Sequence, residues 1–354
     1  MDSFKPSKQW YFSLQEYYDS IGSELMGFST EERPMHELTI GSGPISIAIF
    51  GAMHGNETTS VTIVSNLVAR LKEASSNPDF PFTVHILPVV SPDAFVRHTR
   101  RDGRGMDLNR DFKAFQTVEA AKLIGWIKSI EPELCFNLHD QRTIFHVGGQ
   151  SAAMSVLVPS ADVERTVSKS RQWCMSQVMN GVANVNPAFT SHIGRYTDEF
   201  YPTAVGDYLM ANGFKNILIE SGAYPDDPFR NTSATMACDF IMGILEGWDV
   251  THENGVEQYH ALPANEKGQL EWVFTNVNYL GMRVDIALRL VKMVNGQQPM
   301  ERWLVDDIGD LSHRPRLRST DGTAVGIAIP VQIDAPVDDL WGNYSFTDGF
   351  LEVV

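Results

Sequence analysis

His54 and Glu57 lie three positions apart in Gly51–Ala52–Met53–His54–Gly55–Asn56–Glu57. A neutral imidazole and a carboxylate at that spacing can grip one cation, and a nitrogen–oxygen donor set suits zinc. By itself HxxE serves equally well as a turn whose histidine caps or hydrogen-bonds locally, so the decision lies downstream. Three further blocks carry chemistry: Asp107–Leu108–Asn109–Arg110–Asp111, Asn137–Leu138–His139–Asp140–Gln141 and Ile217–Leu218–Ile219–Glu220–Ser221–Gly222. His139 and Glu220 each close an apolar run. Unpartnered polar groups are costly inside a protein, so an ionisable residue there needs a reason.

The elements that must position these residues follow from the pattern. Pro44 to Phe50 (PISIAIF) predicts a strand delivering His54, with Gly51 and Gly55 letting the backbone turn sharply. Helices are predicted over Leu14–Leu25, after Glu57 to about Ser75, and over Thr117–Ile130, Asp162–Val178, Ala204–Asn212 and Asn231–Leu245. Strands are predicted at Met35–Ile40, Phe82–Val90, Leu134–Leu138, Met154–Val158 and Phe214–Ile219. This alternation predicts an α/β fold: a mixed, largely parallel sheet with helices on both faces and ligands at the strands' carboxyl ends. It occupies residues 1–250. Residues 251–268 are polar and predict a linker. Residues 269–354, with strand-like stretches at Leu270–Thr275, Met282–Val294 and Ala324–Ile333, predict a small β-rich C-terminal domain.

Composition sets bounds. A formal charge of −16 over 354 residues argues against a nucleic-acid partner, whose backbone demands a basic face. Cys135, Cys174 and Cys238 are widely spaced and form no CxxC, so neither a disulfide framework nor a thiolate zinc site is expected. MDSFKPSKQWYF has no apolar signal core, and no apolar run approaches membrane-spanning length. The expectation is a cytoplasmic protein without a membrane partner.

Together the blocks resemble the zinc carboxypeptidase family, over about Leu14 to Val250. The resemblance implies that His54, Glu57 and His139 hold one zinc per chain. It implies that Asn109 and Arg110 bind the substrate carboxylate and that Glu220 is the general base. Ser29, Glu31, Arg33 and Pro34 echo the family's S-x-E-G-R-P turn, with Glu32 in place of its Gly. The resemblance further implies an Arg for the oxyanion, with Arg101 preferred over Arg100 and Arg104, and a capping Tyr, with Tyr201 preferred over Tyr196. The succinylglutamate desuccinylase/aspartoacylase branch shares this site and adds a C-terminal β domain, which keeps both substrate classes open.

The chemistry fits the residue types. Three protein ligands leave zinc an open position for water, whose pKa falls to about 7. Glu220 would take that water's proton and return it to the leaving amine. Arg110 offers a carboxylate a planar fork. Arg142, just past His139, could meet an anionic substrate, and Asp140 could either orient a ligand imidazole or bond within its loop. His252–Glu253 lacks the second His of HExxH, since Val256 stands there; His98 and His146 are loop or core histidines. The expected function is hydrolysis of an amide beside a free carboxylate, in a small peptide or an N-acyl amino acid. A non-catalytic binder would lack the base or a ligand, and neither is missing.

Overall fold

The computed structural model describes residues 10–296, 298–327, 330–337, 344–347 and 350–353. Eight strands form the main sheet: β1 Glu24–Phe28, β2 Pro34–Gly41, β3 Ile45–Phe50, β4 Phe82–Leu87, β5 Leu134–Asp140, β6 Met154–Leu157, β7 Ile193–Arg195 and β8 Asn216–Ser221. Their order is β1-β2-β4-β3-β5-β8-β6-β7. The central run β4-β3-β5-β8 is parallel, and β2 and β6 flank it antiparallel. The carboxyl ends of β3, β5 and β8 therefore open side by side, and these are the ends that carry the chemistry.

Helices cover both faces because the strands are apolar on both. In β3, Ile47 and Ile49 join one core with α2 (Thr59–Ala74), α4 (Lys169–Asn184) and α6 (Asn231–Glu246). Ala48 and Phe50 join another with α3 (Val118–Ile130) and α5 (Val205–Ala211). Such two-sided burial is what produces continuous apolar runs rather than alternation.

Several boundaries differ from expectation. The first helix, α1, is Leu14–Ile21, stopped by Gly22 in the left-handed region (φ 71), and Leu25 belongs to β1. The helix expected from Asp162 begins at Lys169, where the Ser168 side chain accepts from Arg171 N and fixes the start. Glu32, standing where the resembled turn has Gly, adopts φ 60, the backbone a glycine holds without strain. The expected linker contains a docked helix, α7 (Gly255–Ala261), whose buried Tyr259 hydroxyl accepts from Val158 N at 2.9 Å.

Beyond it a second sheet is built from β9 Leu270–Tyr279, β10 Met282–Asn295, β11 Gln298–Gly309 and β12 Arg316–Asp321, in the order β11-β10-β9-β12. Trp272, Phe274, Ile286, Leu288 and Trp303 make its core. Of the stretch Ala324–Ile333, Gly326–Ile327 pairs with β9, and residues 328–329 lie outside the described residues. The backbones of Tyr344–Thr347 and Phe350–Val353 pair as a separate ladder. No helix among the described residues is long and apolar enough to cross a membrane. All three cysteines are free and buried.

Candidate active site

The loop after β3 turns at Ala52 (φ 47) rather than at either glycine. Gly51 and Gly55 serve close approach instead: a Cβ on Gly55 would lie 1.9 Å from Ala94 O. This compression presses His54 and Glu57 against the end of β5. His54 Nδ1 lies 2.7 Å from Glu57 Oε1, and His139 Nδ1 lies 2.7 Å from Glu57 Oε2. The three buried residues offer ligand atoms all within 4.8 Å of one another.

Two nitrogens and a carboxylate converging on one point fit a divalent metal of zinc's preferences, with a coordination position left open. The outer nitrogen of His54 supports that fit. Its Nε2 lies 3.0 Å from Asp107 Oδ1, which fixes the ring so that Nδ1 faces the centre. Burial opposes charge on His54, but the Glu57 and Asp107 carboxylates overcome it and raise its pKa to about 9. Burial likewise pushes Glu57 up, yet the two imidazoles hold it well below the usual carboxylate range. Asp107 is held at about 2, against burial, chiefly by His54. A site this charged and buried is poised for a cation.

Glu220 is the residue of β8 that pairs with His139 of β5 in parallel register. Its Oε2 is buried without a hydrogen-bond partner among the described residues. Burial, and then the neighbouring Glu57 and Asp140 charges, push its carboxyl well above the ordinary range.

The arginines sort differently from the sequence expectation. Arg101, favoured by loop length, turns outward and donates to Gly105 O at 2.9 Å; Arg104 pairs with Asp102. Arg100 is the one that faces the metal residues. Its Nε donates to Asp107 Oδ2 at 3.0 Å, and its Nη1 lies 3.5 Å from Glu57 Oε1. Within this loop Thr99 Oγ1 donates to the Arg101 carbonyl at 2.7 Å, a contact that loop length alone does not reveal. Asp140 matches neither expectation: among the described residues it bonds no imidazole, and instead of bonding within its loop it accepts from Thr59 N and Thr59 Oγ1 at the start of α2.

Asn109 Oδ1 accepts from Val205 N at 2.9 Å, pinning the block to the start of α5. Arg110 extends over the Tyr201 ring, 5.3 Å from its centroid. Tyr196 packs on Phe145; after burial, the Glu220 and Glu57 charges raise its phenol to about 12. Both tyrosines, Arg110 and the exposed Arg142 line one cleft with the metal residues and Glu220. The cleft holds about 850 Å³, and its far wall comes from the C-terminal sheet: Glu271, Arg289, Lys292, Trp303 and Arg318.

Sequence reasoning missed Asp107, although it stands two residues before Asn109 in a block already singled out. It named no individual residue of the C-terminal wall, nor Arg230, which also lines the cleft, because no local pattern marks a residue that reaches the site from a distant loop or sheet.

Residues 44–141, the segment holding all three candidate metal ligands, match the succinylglutamate desuccinylase/aspartoacylase catalytic domain family. The chain is 24% identical over 212 residues to an uncharacterised protein of Zymomonas mobilis, a match spanning about half of each (53% of this chain, 52% of that protein). In fold it is similar to a metallo-carboxypeptidase from Burkholderia cenocepacia (TM-score 0.56, 18% identity, 68% of this chain and 70% of that chain). It is also similar to bovine thrombin-activatable fibrinolysis inhibitor (TM-score 0.53, 15% identity, 71% of this chain and 99% of that chain). Residues 44–141 thus match the desuccinylase/aspartoacylase catalytic domain, and the chain has a metallo-carboxypeptidase-like fold.

Proposed function

We propose that this protein is a zinc-dependent amidohydrolase that cleaves a small N-acyl amino acid at the amide beside its free carboxylate. The observation that carries the substrate size is the far wall of the cleft: side chains of the C-terminal sheet share one cavity of about 850 Å³ with the metal residues and Glu220. That volume is in the range of small-molecule sites. The match of residues 44–141 to a deacylase branch supports the same reading.

Zinc, when bound by His54, Glu57 and His139, supplies Lewis acidity and a lowered water pKa. The chain's own groups supply the rest. Glu220, with a raised carboxyl pKa and a free buried oxygen, takes a proton from the attacking water and passes it to the leaving nitrogen. Arg100 stands where it can donate to the carbonyl oxygen as negative charge develops. Asn109, Arg110 and Arg142 provide amide and guanidinium donors for the substrate's carboxylate. Tyr196 and Tyr201 border the amide position.

A second reading, removal of a C-terminal residue from a short peptide, is favoured by the Arg110–Tyr201 pair, which can close over a terminal carboxylate. A paired screen separates the two: N-acetyl and N-succinyl amino acids against free dipeptides, with and without a chelator. Chelator-sensitive release from the acyl amino acids alone supports the proposal; release from dipeptides alone overturns it in favour of the second.

A further inference from the structure

Arg230 lies at the start of α6, in the left-handed region (φ 58), on a loop remote in sequence from every ligand. Its Nη1 donates to Ser221 O at 2.8 Å and its Nη2 to Gln141 O at 2.9 Å. Ser221 follows Glu220 directly, and Gln141 stands two residues past His139. One guanidinium thus joins the ends of β8 and β5 just beyond the residues that matter. The same Nη1 lies 3.6 Å from Asp140 Oδ2. That oxygen accepts from Thr59 N at 3.1 Å and Thr59 Oγ1 at 2.7 Å, and Thr59 stands two residues past Glu57. Asp140 N in turn donates to Glu57 Oε2 at 3.3 Å. The chain of contacts touches all three segments that carry Glu57, His139 and Glu220.

The loop bearing Arg230 is itself held. Asp227 accepts from Asn231 N and Thr232 N, and Lys292 of β10 donates to Pro228 O at 3.3 Å. Strand ends otherwise diverge with the twist of a sheet. A planar fork tying two carbonyls resists that divergence in a way a single ammonium does not.

We propose that Arg230 is a positioning residue: by clamping Ser221 O and Gln141 O and pairing with Asp140, it fixes Glu220 relative to the metal-binding edge. This inference rests on the metal-site reading above. The test is zinc affinity of Arg230→Met and Arg230→Lys, measured by competition with a chelating dye, beside thermal unfolding of zinc-free and zinc-loaded protein. Both variants should bind zinc about 10- to 100-fold more weakly, the range for residues that orient metal ligands. Their zinc-free melting temperatures should stay close to wild type, so the zinc-induced rise is what shrinks. On an N-acyl amino acid that the wild type cleaves, kcat should fall at least about tenfold with KM little changed.

Wild-type zinc affinity in both variants overturns the inference while leaving the metal site intact. So does an equal loss of stability with and without zinc, or a rise in KM alone, which would make Arg230 a substrate ligand. A wild type that takes up no zinc overturns the metal-site reading itself. Should Arg230→Met fail to fold, Arg230→Lys and Thr59→Val, which removes the hydroxyl bond to Asp140 and leaves the backbone one, carry the same expectation of weakened zinc binding.

Discussion

Glu220 and His139 face each other as register partners on adjacent parallel strands, β8 and β5. Two side chains placed by backbone pairing cannot drift apart without breaking the sheet, so the separation of the proposed base and the proposed metal ligand is inherited from the fold. Replacing Glu220 by Gln keeps the shape and removes the proton acceptor. We expect turnover to fall by about 10²–10⁴-fold, the usual contribution of general acid–base catalysis, with zinc retained. Activity within a few-fold of wild type would remove Glu220 from the mechanism.

Asp107 fixes the His54 ring through Nε2 at 3.0 Å. Asp107→Ala should weaken zinc binding about 10- to 100-fold, while circular dichroism shows an intact fold. Unchanged zinc affinity would reduce the contact to a local hydrogen bond.

Arg100 and Arg101 are neighbours with opposite orientations. Arg100→Ala should lower kcat by about 10²–10³-fold, the cost of losing a donor to developing negative charge. Arg101→Ala, whose partner is a loop carbonyl, should stay close to wild type. The reverse pattern would restore the assignment suggested by loop length.

Asp207 lies buried in the first turn of α5 at the edge of the cleft. Burial pushes its carboxyl from 3.8 up to about 7. Between those values the folded state binds a proton that the unfolded state has lost, so this group weakens the fold as pH rises through that window. Asp207→Asn should match wild type near pH 4 and exceed it at pH 8 by about 2–4 kcal/mol. Urea unfolding at the two pH values measures this; no gain at pH 8 would mean the carboxylate is satisfied in place.

Gly55 has Ala94 O where a Cβ would go, at 1.9 Å. Gly55→Ala must displace the loop that carries His54 and Glu57, so stability should fall by about 1–3 kcal/mol and zinc binding should weaken with it. Thermal unfolding with and without zinc reads both.

The site was legible to the extent that its residues sit at the ends of strongly apolar strands. His54, Glu57, His139 and Glu220 each follow such a run, and a buried parallel sheet leaves its ligands there. The α/β alternation was legible for the same reason. What remained hidden depends on contacts that no local pattern encodes. Arg100 reaches Asp107 while Arg101 donates to Gly105 O, a difference between neighbours that no spacing rule predicts. Arg230 enters from a loop after β8, and Lys292 and Trp303 line the cleft from a separate sheet. Helix boundaries shifted where a side chain intervened, as Ser168 does before Lys169, because capping is a matter of a few atoms rather than of periodicity.

If His54, Glu57 and His139 form one catalytic metal site, bound zinc depends on all three. The direct measurement is zinc content by elemental analysis, after metal is offered and excess removed, on wild type and His139→Ala side by side. One zinc per wild-type chain and a large loss in the variant are expected. No zinc in the wild type, or equal zinc in both, would contradict it.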